Sequence, residues 1–180
     1  MRVGALIYAY TQGEELYSVL TATIRDMMTV AEKDGRVSSY CREGEFDSWD
    51  LWCRKYVLLG SEYYLDICKD EQLKKELTAF LCVCLDYIIA HIGPDRKDIN
   101  QASRSWYGVN SSSILEPVVR LYKLTGEERY LDFATYIVKA GGANGINIFE
   151  LAWENQLYPY QYGVSKAYEM MSCFEGLIDF

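Results

Sequence analysis

The sequence predicts an all-α protein built of stacked helical hairpins, and three observations carry that expectation. The first is a regular beat. Ile7, Tyr64, Leu121 and Ile178 each sit in an apolar helical stretch, and each lies 57 residues from the next. The second is that the first three beats lead into related turns: Tyr10-Thr11-Gln12-Gly13-Glu14-Glu15-Leu16, Ile67-Cys68-Lys69-Asp70-Glu71-Gln72-Leu73, and Leu124-Thr125-Gly126-Glu127-Glu128-Arg129-Tyr130-Leu131. The third is helical periodicity on both sides of those turns. A repeat of this length, with a short turn inside it, is the mark of helical hairpins laid side by side. The fourth turn would fall just past Phe180, so about three hairpins are expected, forming a single partial domain over residues 1–180.

The second helix of each hairpin is half-buried by its pattern. Leu16, Leu20, Ile24, Met27 and Met28 recur at three and four residues, as do Leu73, Leu77, Leu81, Leu85, Ile88 and Ile92, and Tyr130, Phe133, Ala134, Ile137 and Val138. Charged residues fill the alternate faces, as on an outer, solvated layer. The first helices, over residues 49–67 and 114–124, carry fewer charges and more Tyr, Trp, Leu and Val, and are expected to form an inner layer. Turns within hairpins are short. The connections between hairpins, over residues 34–46, 93–107 and 140–163, are long, and every one leads from an outer helix to the next inner one. Long loops without a pattern of their own tend to line a site, so one end of the molecule is expected to carry the function.

Composition narrows the classes. Half of the residues are apolar and only 3 are Pro, which excludes a linker-rich or disordered chain. A net charge of −8 argues against a nucleic-acid partner, because phosphate binding rests on Lys and Arg. No apolar run is long enough for a membrane span and the N-terminus lacks the order of a secretory signal, so, if Met1 is the true start, a cytoplasmic place and no membrane partner are expected. The six cysteines match no zinc pattern and read as buried free thiols. His91, the single histidine, falls near a helix C-terminus, where a structural role is expected.

The long-loop end carries aromatic rings beside carboxylates and amides. Sugar rings stack their C–H faces on Trp or Tyr while their hydroxyls take fixed polar partners, so a carbohydrate is the expected ligand. The candidate binding residues are Trp49, Asp50, Arg54, Trp106, Asn110, Glu116, Tyr168 and Glu169. Each has a competing structural role. Asp50 and Arg54, four apart on one helical face, can form a plain ion pair. Asp47 or Ser48, Asn110 or Ser111, and Ser165 stand where helix N-caps belong. Trp49 can simply plug a loop. Glu116, in the apolar run Ile114-Leu115-Glu116-Pro117-Val118, and Glu169, in Ala167-Tyr168-Glu169-Met170, need either a cleft or a buried partner. A paired-carboxylate glycosidase needs two such groups at a set separation, and Asp50, Glu116 and Glu169 could approach one another. Neither a Ser/His/Asp set nor a phosphate-cradling loop is present. Gly141-Gly142-Ala143-Asn144-Gly145 reads as a post-helix turn.

Three segments carry a family likeness: Asp47-Ser48-Trp49-Asp50-Leu51-Trp52-Cys53-Arg54-Lys55-Tyr56, Trp106-Tyr107-Gly108-Val109-Asn110-Ser111-Ser112-Ser113-Ile114-Leu115-Glu116-Pro117, and Leu121-Tyr122-Lys123-Leu124-Thr125-Gly126-Glu127-Glu128-Arg129-Tyr130-Leu131. In these the chain resembles the β-L-arabinofuranosidase family of glycoside hydrolases, family 127. The resemblance implies an (α/α)6 toroid of six hairpins, of which this chain would be a partial barrel, the N-terminal half of a larger catalytic domain. It also implies hydrolysis of terminal arabinofuranosyl units by a zinc-held cysteine nucleophile with a glutamate acid/base. The segments that carry that chemistry in the family lie beyond the part this chain resembles. None of the six cysteines matches them, so no catalytic or zinc residue carries over. No cofactor is expected in this chain, zinc being a matter for the full-length family member. The single histidine also departs from a family half that contributes several to substrate binding. The expected role is part of the sugar-binding cleft of a glycoside hydrolase acting on an oligosaccharide or plant-type glycan, with self-association through exposed half-ring edges. The alternatives are another toroid enzyme, a polysaccharide lyase or unsaturated-uronate hydrolase, and a non-enzymatic helical-repeat scaffold.

Overall fold

The computed structural model describes residues 1–164 and 166–180. Ser165, one of the expected N-caps, lies outside the described residues. The architecture is all-α, with one two-stranded hairpin as the sheet content of the described residues. Two compact units divide the chain: Met1–Val37 with Tyr56–Ile88, and Ser38–Lys55 with Ile89–Phe180.

The first unit holds α1 (Arg2–Thr11), α2 (Glu14–Val30), and most of α3 (Asp50–Leu65) and α4 (Glu71–His91). The turn between α1 and α2 closes on Gln12, which adopts a left-handed conformation and donates its backbone N–H to the Tyr8 carbonyl at 2.8 Å. The second turn is set by Asp70, whose carboxylate accepts the backbone N–H groups of Gln72 and Leu73 at 3.0 and 3.1 Å, capping α4. The expected apolar stripe of α4 is buried from Leu73 through Leu77, Leu81 and Leu85 to Ile88. Tyr64, on the beat, is fully enclosed. Its hydroxyl bonds to that of Thr21 at 2.8 Å, its ring stacks on Tyr17, and burial pushes its phenol well above the usual range.

The second unit contains α5 (Val109–Ser112), α6 (Leu115–Thr125), α7 (Glu128–Lys139), α8 (Ile148–Glu154) and α9 (Ala167–Asp179). Helix α6 ends in a left-handed Gly126 that donates back to Tyr122 at 2.8 Å, so the Thr-Gly-Glu turn is a glycine C-cap followed at once by α7. Helix α6 packs on both α7 and α9. Gly176 permits the second contact: a Cβ there would come within 2.6 Å of the Glu116 backbone nitrogen and 2.8 Å of the Leu115 Cβ.

The inner helix expected over residues 114–124 is α6, preceded by the short α5, which ends at Ser112. Two expectations are corrected here. Asn110 and Ser111 are inside α5 and do not cap it; the N-cap is Gly108, at φ 81°, where a Cβ would fall on the Asn100 backbone. The glycine-rich stretch after α7 is no plain turn. It folds as β1 (Gly142–Ala143) paired antiparallel with β2 (Ile146–Asn147), and Asn147 then caps α8 by accepting the Glu150 N–H at 3.0 Å. A strand of two residues has no periodicity to read.

Candidate functional site

The long loops that follow α4 and α7, and the part of the loop after α2 from Ser38 onward, belong to the second unit and are bonded to one another there. Arg104 reaches from the second loop to Asp47 in the first, with Nε 2.8 Å from Oδ2, and Lys97 donates to the Phe46 carbonyl. Asn110 donates from its side chain to the Ser48 carbonyl at 3.0 Å. Asn100 joins the second loop to α5 and the third loop. Its Oδ1 accepts the Ser112 hydroxyl at 2.7 Å, and its Nδ2 donates to the Ala140 carbonyl, also at 2.7 Å. The Asn144 N–H donates to the Tyr107 carbonyl at 2.6 Å, tying the β-hairpin to the second loop.

On this part of the surface lies an open pocket of about 420 Å³, lined by Asn100, Gln101, Ser103, Arg104, Trp106, Tyr107 and Asn144. Its size falls in the range of about 300–1,000 Å³ usual for small-molecule sites. Trp106 and Tyr107 have 49 and 57 % of their surface exposed, and both sit at positive φ, 53° and 56°. Bulky residues rarely take that conformation, which costs roughly 1–2 kcal/mol per residue. The strain is held by the Gly108 turn and the Asn144 bond, and it is the geometry that keeps two consecutive rings on the surface beside the pocket.

A second set of rings gathers beside it. Trp49 meets Trp52 edge-on at 5.8 Å between centroids, and Trp52 meets Tyr168 edge-on at 5.5 Å. Lys55 lies beneath with its ammonium 4.9 Å from the centre of the Trp52 ring. Lys166, entering α9, places its ammonium 4.9 Å from the centre of the Trp106 ring and 3.7 Å from the Glu169 carboxylate. Trp49 and Tyr168 are thus joined through Trp52, and Trp106 and Glu169 through Lys166.

The remaining candidates are enclosed by protein. Asp50 is fully buried and its carboxylate is taken up by the Ser38 hydroxyl, the Phe46 N–H at 2.9 Å and Arg54 Nε at 3.0 Å. Arg54 also pairs with Glu45 and lies over the Phe46 ring. The geometry of Asp50 and Arg54 is that of the helical ion pair, locking the first loop onto α3. Glu116 and Glu169 are buried against the α6 and α9 contact, and Glu169 Oε2 accepts no hydrogen bond among the described residues. Asn110 Oδ1 and the Ser111 hydroxyl are buried and likewise without a hydrogen-bond partner among them. Cys173, one turn beyond Glu169, donates its thiol to the Val109 carbonyl at 3.2 Å, and burial pushes that thiol up to about 12, so it is neutral and not a nucleophile at ordinary pH.

Among the described residues no three His, Cys, Asp or Glu side chains gather to hold a metal ion. His91 stacks on Phe46, 4.9 Å between centroids. The cysteines are free thiols as expected, but burial holds for Cys68, Cys84 and Cys173, whereas Cys41 and Cys53 are exposed and Cys82 is half-buried. The described side chains do not fit the family's zinc centre.

Pocket residues outside the sequence candidates are Asn100, Gln101, Ser103, Arg104, Tyr107 and Asn144. One signal could have found Arg104: it lies 57 residues from Asp47, the repeat's own step, as Trp106 does from Trp49.

Helical hairpins whose long loops converge in one compact unit place the chain in the class of all-α toroid proteins. The chain belongs to the family described as beta-L-arabinofuranosidase, GH127 catalytic domain, whose model matches residues 1–165. No curated protein and no solved structure matches it.

Proposed function

We propose that this chain forms part of the sugar-binding cleft of a glycoside hydrolase acting on glycans that end in arabinofuranosyl units. The observation that carries the reading is the pocket beside Trp106 and Tyr107, in a chain of glycoside hydrolase family 127. Two exposed rings offer stacking faces to sugar C–H groups, and the exposed Gln101 and Asn144 amides offer donors and acceptors to sugar hydroxyls, while Asn100 and Ser103 are buried and hold the loop. Trp49, Trp52 and Tyr168 extend the aromatic surface toward a neighbouring sugar unit. Asp50 and Arg54 support the loop in this reading and do not touch the ligand. Bond cleavage is assigned to residues outside this chain.

The chain is further proposed to be the N-terminal half of its catalytic domain, with end faces made for neighbours. Ile7 and Ile178 are 48 and 86 % exposed and offer apolar surface to such a neighbour.

Titration calorimetry and tryptophan fluorescence with arabinofuranosyl oligosaccharides test the cleft. Binding is expected, and Trp106→Ala and Tyr107→Ala should each weaken it by about tenfold, one base-stacking-sized aromatic contact being worth roughly 1–3 kcal/mol. No binding by the parent, or unchanged binding by both variants, overturns the reading.

A further inference from the structure

We propose that Asp47 determines the charge selectivity of this pocket: by neutralising Arg104 it keeps acidic sugars out. The inference rests on the glycan reading above and adds a residue that touches no ligand.

Among the described residues lining the pocket Arg104 is the one guanidinium. A free arginine there would be a carboxylate receptor, since its planar fork matches a carboxylate in two parallel hydrogen bonds. It is not free. Both Nε and Nη2 are directed to Asp47 Oδ2, and the other oxygen, Oδ1, is fixed by the Ser48 N–H at 2.7 Å. The hydrogen bond from Arg104 holds the Asp47 carboxyl below its ordinary value, so the pair is fully ionised at neutral pH. The nearby cations are engaged as well, Lys166 by the Trp106 face and Glu169, Lys97 by the Phe46 carbonyl. An acidic ring entering the pocket meets a base whose charge is already cancelled and a carboxylate directly behind it.

Stability gives no strong reason for the pair. The Arg104 side chain is 86 % exposed, and ion pairs so placed contribute little to folding. Its effect is therefore on the field at the pocket mouth. The arrangement also follows the repeat: the same position carries an acid in one hairpin and a base in the next, 57 residues on, and the two meet across adjacent loops.

The test compares the parent, Asp47→Asn, and Asp47→Asn with Arg104→Gln. Each is titrated with a neutral arabinofuranosyl oligosaccharide and with a galacturonate oligosaccharide of equal length. The parent is expected to prefer the neutral sugar. Asp47→Asn should bind the neutral sugar within about twofold of the parent and the acidic one about five- to tenfold more tightly at low salt, the size of one near-surface charge contact. That gain should shrink at high salt and vanish in the double variant. An unchanged preference in Asp47→Asn, or equal weakening of both sugars, which a mere loop clip would give, overturns the proposal. A parent that binds both sugars equally overturns it and leaves the glycan reading standing, whereas a parent that binds neither overturns both.

Discussion

Replacing Asp50 by Ala separates a framework role from a ligand role. In the folded chain this buried carboxylate accepts from the half-buried Ser38 hydroxyl, from the buried Phe46 N–H and from the buried Arg54. Truncation leaves the buried Phe46 amide short of a partner, at about 1–3 kcal/mol, and the half-buried Ser38 hydroxyl short of one at a lower cost, since water reaches it. It also leaves Arg54 with Glu45 as its remaining carboxylate partner in the first loop. Breaking a buried ion pair from one side costs about 3–5 kcal/mol. These terms overlap, because the loop relaxes once for all of them, so a loss of about 3–5 kcal/mol is expected for the whole. Asp50→Asn should lose less: with its amide oxygen in the place of Oδ2 it still accepts from Phe46 N–H and Arg54 Nε, and its NH2 can donate to the Ser38 hydroxyl, so the charge opposite Arg54 is what is lost. Urea unfolding, followed by far-ultraviolet circular dichroism, measures the change, and glycan titration of the still-folded fraction measures binding. An Asp50→Ala variant within about 0.5 kcal/mol of the parent, the range of a neutral surface change, but with binding abolished would refute the framework role and make Asp50 a ligand group.

Other outcomes are equally concrete. Gly176→Ala should destabilise the second unit by about 1–3 kcal/mol, the usual range for overpacking, because its methyl meets the Glu116 backbone and the Leu115 side chain; thermal denaturation reads it. Alkylation followed by mass spectrometry should modify Cys41 and Cys53 in the native protein and reach Cys68, Cys84 and Cys173 only on unfolding, with Cys53 slowed because burial and the neighbouring Asp50 raise its thiol. The Asp47 contribution should be present above the ordinary carboxylate range, near about pH 4, and fade as pH falls through its lowered folded value, so the parent and Asp47→Asn should converge in acid. Ile7→Glu and Ile178→Glu should each reduce self-association seen by light scattering while leaving the helical signal intact, because both side chains are exposed in the single chain.

The hairpins were legible because helices write their burial into the chain at three- and four-residue spacing. The stripe from Leu73 to Ile88 needs no distant partner to be recognised, and the Thr-Gly-Glu turn states its own geometry through one glycine. Family membership was legible for the same reason, being carried by short contiguous segments. Less could be read at the loops. Asp50 and Arg54 are spaced alike whether they pair with each other or reach for a ligand, and the donors from Ser38 and Phe46, with the burial of Asp50 itself, decided it. Asn100 gave no signal at all, since its partners, Ser112 and Ala140, are remote in sequence and one of them is a backbone carbonyl.

The sequence by itself determined the beat, the hairpins, the loop-rich end and the family, each a property of local spacing. The tertiary structure decided which loop residues are framework and which face a pocket. It put Asp47 on Arg104, stood Trp106 and Tyr107 outward on a strained turn, and drew Asn100 inward. Periodicity records which face of a helix is covered. A loop has no period, so the identity of what covers it exists only once the neighbouring loops have been brought alongside.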